Sequence, residues 1–157
     1  METRLSDCLA VFHGATRIAL RDGQLSNGEK RLLVKLAHAL KLDEDEPRQV
    51  YDAVVENRGP GRGREISDLE MILVYGQVLE AVLIHTDRSD DELTLVAYLR
   101  RAFSISDADH RSITRSLDRQ LEQTIHRNVL QDFRMRLDDT MDRIGGIFDR
   151  LGFQILG

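Results

Sequence analysis

The 157-residue chain is long enough to bury one sizeable core without disulfides, and its 41% hydrophobic and 31% charged content is that of a folded chain, which excludes a disordered one. Its net charge of −5 falls entirely in residues 64–114, where ten acids meet five bases; this excludes the basic face of a general nucleic-acid binder and leaves a cation or a basic partner open for that segment. A lone Cys8 allows no intrachain disulfide and fits a reducing, cytoplasmic setting, no N-terminal signal sequence is visible, and no apolar run is long enough for membrane insertion.

The first predicted element is an amphipathic helix over residues 2–21, in which Leu5, Leu9, Phe12, Thr16, Ala19 and Leu20 recur at helical steps and Cys8 reads as a small buried hydrophobe. The turn Arg21-Asp22-Gly23-Gln24-Leu25 stops it, with Gly23 in a left-handed position. Ser26 opens a second helix with a stripe of Leu32, Leu33, Leu36, Ala39 and Leu40. A short third helix runs from near Pro47 to Glu56 through Val50, Ala53 and Val54. The Gly- and Pro-rich run from Asn57 to Gly63 reads as a flexible linker; it lacks the Lys-Ser/Thr ending of a phosphate-binding loop.

A fourth helix spans Ile66 to about His85, with Leu69, Leu73, Val74, Val78, Ala81 and Val82. A fifth spans Ser89–Phe103, with Leu93, Val96, Leu99 and Phe103, and a sixth starts at Ser106. From there the helical pattern continues almost to Leu151, too long for one straight helix in a domain of this size, so a break near His126-Arg127-Asn128 is expected. Leu130, Phe133, Leu137, Met141, Ile144, Phe148 and Leu151 form one apolar seam, which either completes the core or joins a second copy of the chain.

The chain repeats itself at a constant offset of 63 residues. Leu20, Ser26, Glu29, Leu32, Leu36, Ala39 and Arg48 meet identical residues at Leu83, Ser89, Glu92, Leu95, Leu99, Ala102 and Arg111. The expected fold is therefore an all-α bundle of two pseudo-symmetric three-helix repeats, each with an acidic turn between its first two helices, plus a long C-terminal amphipathic helix. Within one domain, repeat one is 1–56, the linker 57–65, repeat two 66–127 and the C-terminal helix 128–151.

The repeat also puts acids at matching turns. Ser26-x-x-Glu29 and Ser89-x-x-Glu92 both have the form of a capping box, in which the hydroxyl takes the third helical N–H and the Glu returns to the cap residue's own N–H. Capping does not need Asp22 or Asp87. If the two turns sit side by side, Asp22, Glu29, Asp87 and Glu92 gather carboxylates that repel one another unless a cation lies between them; the alternative is that the acids only cap helices. An EF-hand is excluded by spacing. His85, beside Asp87, is either a transition-metal ligand or a favourable helix-terminal cation. No nucleophile and base can be paired, so no enzyme is expected.

The Asp22-Gly23-Gln24-Leu25-Ser26 turn with Glu29, followed by a Leu-rich helix ending in Leu40-x-Leu42, resembles the tellurite-resistance TerB-like family, best over Ala19–Leu42 and in pattern over about residues 5–120. The second turn departs from it: His85-Thr86-Asp87 stands there without Gly. The resemblance implies an all-α, non-catalytic module whose acidic turns hold a divalent cation (Ca, Mg, Mn or Zn), working in a stress-response or scaffolding assembly. Its expected partner is protein, including a second copy through the C-terminal helix. Without the ion, the expectation is a purely structural interaction or dimerisation module with no cofactor.

Overall fold

The computed structural model describes residues 5–121 and 127–151, with side chains through residue 143. The described residues form seven helices and no strand: α1 (Cys8–Ala19), α2 (Asn27–Ala39), α3 (Glu46–Val55), α4 (Asp68–His85), α5 (Asp90–Ala102), α6 (Asp107–Leu121) and α7 (Arg127–Leu151). The all-α expectation holds. No described helix is long and apolar enough to cross a membrane.

α5 is the centre of the fold. Every residue from Glu92 to Leu99 is buried, because α1, α2, α4 and α7 all pack on this helix. The single stripe expected for this helix was too narrow, since a helix enclosed on all sides has no solvent face for a period to reveal. α4 differs in the opposite sense. Leu69 and Leu73, expected inside, are 67% and 55% exposed, while Met71, Val74, Tyr75, Val78, Leu79 and Val82 point inward. α4 is apolar nearly all round, so the period alone could not choose its buried side.

α1 starts later than its apolar pattern. Asp7 caps it, with Oδ1 accepting from the Leu9 and Ala10 amides at 2.8 and 3.3 Å. The same carboxylate takes the Gly63 amide at 2.9 Å. Ser6 accepts from the Ile66 amide, and Arg64 accepts from the Cys8 amide. The end of the linker is thus fastened to the start of α1, contrary to the flexible loop expected from its glycines. Gly63 is required there, because a Cβ would lie 2.7 Å from both Cys8 Sγ and Leu9 Cγ. Asp7→Ala removes a cap and a tertiary anchor together, with an expected loss of about 2 kcal/mol in urea denaturation. An unchanged midpoint would show that the anchor contributes nothing.

Ser26 closes its capping box on α2, and a second closed box, Ser67 with Glu70, starts α4. Arg64 holds the Glu70 carboxylate at 2.8 Å and keeps it ionised below the usual carboxylate range. The ends of α2 and α5 match at the 63-residue offset. Lys41 and Ser104 both have positive φ (58° and 52°), and the amides after them, Leu42 and Ile105, return to the carbonyls of Ala37 and Arg100 at 3.0 Å.

α7 lies against α5 through Leu130, Phe133 and Leu137, all buried. This part of the seam is covered from within the chain; its continuation through Ile144, Phe148 and Leu151 lies outside the described side chains. Of the break expected near His126-Arg127-Asn128, Arg127 and Asn128 are the first residues of α7, and His126 lies outside the described residues.

Candidate functional site

The two acidic turns do come together, through the starts of α2 and α5. Arg21, at the end of α1, donates to the Ile18 carbonyl and to Asp91 Oδ1, each at 2.7 Å, and so ties α1 to the first turn of α5. Arg31 of α2 donates to the His85 carbonyl at the end of α4 at 2.9 Å. Gly28 allows the closest approach. A Cβ on it would stand 2.1 Å from Glu92 Oε1, so the Glu92 side chain occupies the space beside the first turn of α2.

The four expected ligands divide into two pairs. Glu29 and Glu92 are buried, at 1% and 3% exposure. Asp22 and Asp87 are exposed, and Asp22 spends Oδ1 on the Gln24 amide at 3.2 Å, a local turn contact. Among the described residues no three His, Cys, Asp or Glu side chains gather as a metal-holding group. The residues present therefore do not make the many-oxygen shell that a calcium site needs.

Glu29 carries two roles on its two oxygens. Oε1 accepts from the Ser26 amide at 3.0 Å and closes the capping box. Oε2 is buried with no hydrogen-bond partner among the described residues. Burial pushes the Glu29 carboxyl above its ordinary pKa, the Ser26 amide opposes this, and the negative charges of Asp91 and Asp22 add to the rise. Glu92 behaves differently from its repeat counterpart. Ser89 Oγ accepts from the Glu92 amide at 3.4 Å, but the Glu92 carboxylate does not return to Ser89, so the expected second box is only half made. Two other acids of this turn are ion-paired, Asp91 with Arg21 and Asp90 with Arg136 of α7 at 3.0 Å, while Asp87 stays exposed.

Sequence reading missed Arg21, Gly28 and Asp91, which make the joint. Gly28 carried a signal, since a glycine in the first turn of a helix is unfavourable unless something needs its space. His85 is exposed at the end of α4, where its carbonyl is engaged by Arg31. Cys8 is buried at 3%, and burial raises its thiol pKa, as expected of a small core residue.

A second feature lies on the outer side of α2. Val34 is 71% exposed and stands between two grooves. One, of about 490 Å³, is floored by Phe12, Leu25, Leu33, Ala37 and Leu42 and walled by Tyr51 of α3. The other, of about 720 Å³, runs towards the end of α4 and is lined by Lys30, Arg31, Lys35, His38 and His85 over Leu32 and Ala81. No protein-family model matches the chain, and no curated protein or solved structure matches it.

Proposed function

We infer that the chain is a non-catalytic helical module that binds another protein through the α2 face, with its acidic turns serving as an internal joint. We further read the architecture as TerB-like, two pseudo-symmetric three-helix units finished by α7. In support, α1 packs on α5 as α2 packs on α4, and the ends of α2 and α5 match at the offset of the sequence repeat. The observation that carries the interaction reading is Val34: a β-branched apolar side chain left 71% in water between two grooves. Folding does not need it there, so Val34→Glu leaves the melting temperature unchanged. In a pull-down from lysate of the source cells, a partner retained by the wild type and by Met135→Glu is lost with Val34→Glu. Retention by all three proteins would overturn this reading.

A divalent cation at the joint is the second reading, favoured by the unpartnered Glu29 Oε2 beside the start of α5. Glu29 and Glu92 are the residues that would hold it, and the negative charge of the exposed Asp22 also acts on Glu29. Mg²⁺, which is commonly held by one or two carboxylates and keeps several waters, asks least of such a pair. An ion held there raises the melting temperature of the wild type but not of Glu29→Gln.

A further inference from the structure

We propose that the α2 face receives an acidic amphipathic helix from a partner protein, its apolar side chains in the groove against Leu33, Ala37 and Tyr51 and its carboxylates reaching past Val34 to Lys30, Arg31 and Lys35. This rests on the interaction reading and adds the chemistry of the occupant.

Three observations commit the surface to that occupant. The first is charge. The chain is acidic overall, yet α2 presents Lys30, Arg31 and Lys35 against a single acid, Glu29, which is buried. Seven other basic side chains, Arg21, Arg48, Arg58, Arg64, Arg100, Arg134 and Arg136, each sit in an ion pair; Arg111, Arg115 and Arg119 of α6 line a groove too, but one with little apolar surface for a helix to cover. None of the three α2 cations has an ion-pair partner among the described residues. Partner carboxylates supply what this surface lacks.

The second is the division of labour between the grooves. Both grooves are mainly apolar and share Lys30, Val34 and His38, but the one towards α4 adds Arg31 and Lys35 and contains no acid, whereas the one walled by Tyr51 ends in acids. An amphipathic helix has an apolar face and a charged flank side by side, and Val34 marks the line between the grooves. Asp43 and Glu44 close the end of the Tyr51 groove and repel carboxylates there. The partner's acidic flank therefore lies on the α4 side.

The third is the mode of docking. Among the described residues there is no strand to extend, so an edge-adding peptide has no template, while a groove between helices accepts a helix. The described part of the chain's own amphipathic seam, Leu130, Phe133 and Leu137, is already buried on α5 and is not free to serve.

The test uses the full chain, isotopically labelled, and a synthetic helical peptide of about four turns with Leu residues one turn apart and Glu on the flanks. A second peptide carries Lys in place of every Glu. Saturable amide shifts are expected in α2, in α3 and at the end of α4, with affinity falling as salt rises. Val34→Glu and the double variant Lys30→Glu/Lys35→Glu are each expected to weaken binding about tenfold or more, and the Lys peptide not to bind. Absence of saturable binding, equal binding of the Lys peptide, indifference to Val34→Glu, or shifts centred on α7 would each overturn the proposal. So would a wild type that doubles its mass in light scattering and returns to monomer with Val34→Glu, because a second copy would then be the occupant. If the peptide fails while the lysate partner is still lost with Val34→Glu, the occupant's chemistry is wrong and the interaction reading stands.

Discussion

Gly14→Ala is expected to cost the fold about 3 kcal/mol or more, the largest effect expected of a methyl group added at any described glycine. α1 and α5 meet at Gly14. A Cβ there would stand 2.0 Å from Tyr98 Oη and 2.6 Å from its Cζ. Tyr98 is fully buried and cannot swing into solvent, and its hydroxyl donates to the Val11 carbonyl on α1 at 3.0 Å. The added methyl group therefore forces the helices apart and strands a buried donor at the same time. Burial also raises the Tyr98 pKa, so the hydroxyl remains a donor throughout the ordinary pH range. Tyr98→Phe removes the closest atom. Alone it is expected to cost about 1 kcal/mol for the lost hydrogen bond. In the Gly14→Ala background it should cost less than that, or restore some stability. Urea denaturation of the two single variants and the double variant measures the coupling, and strict additivity would mean that the two residues do not meet as described.

Between pH 6.5 and 4 the chain is expected to lose up to about 3 kcal/mol of stability through His110 alone. His110 is 8% exposed, and its Nδ1 lies 2.9 Å from the Tyr75 hydroxyl. Burial raises the Tyr75 pKa and keeps its O–H protonated; in the tautomer with the proton on Nε2, this O–H donates to Nδ1. Burial pushes the His110 pKa down to about 4, helped by the positive charge of Arg100 and opposed by Asp138 and Asp107. The unfolded chain takes up this proton near pH 6.5 and the folded chain only near 4. In that window the unfolded state binds more protons, so stability falls as the pH falls. Above pH 6.5 the contribution is intact. Glu29 acts in the other direction: with its pKa raised in the folded state, it costs stability when ionised and stops doing so as acid protonates it. His110→Gln keeps an acceptor for Tyr75 and removes the titration. Its denaturation midpoint should change less than that of the wild type from pH 6.5 to 4, and parallel curves would refute the assignment.

The helices were legible from sequence where a polar face was left to mark the period. α2, α3 and α6 start within two residues of their expected positions because Ser26, Pro47 and Ser106 announce them. The buried side of α4 and the full enclosure of α5 were not legible, because their apolar residues outnumber one face and only tertiary packing decides which are covered. The acidic turns were found through the repeat, but identical residues took different partners. Glu29 returns to Ser26, whereas Glu92 turns to the gap above Gly28. Local spacing predicts a capping box; it cannot predict that a neighbouring helix offers a space the size of a carboxylate. The linker shows the same limit, since its glycines suggest freedom while Gly63 serves a close contact with Cys8 and Leu9.

The claim at the centre of this account is that the paired acidic helix starts are a structural joint and that recognition belongs to the α2 face. Thermal melts at neutral pH of the wild type and Glu29→Gln, each with and without Ca²⁺, Mg²⁺, Mn²⁺ or Zn²⁺, test it most directly. Glu29→Gln keeps an oxygen for the Ser26 amide and removes a buried charge, so it is expected to melt higher than the wild type, with no ion shifting either protein. A wild type whose melting temperature rises with one of these ions, beside a Glu29→Gln variant that does not respond, would contradict the account and make the joint a metal site.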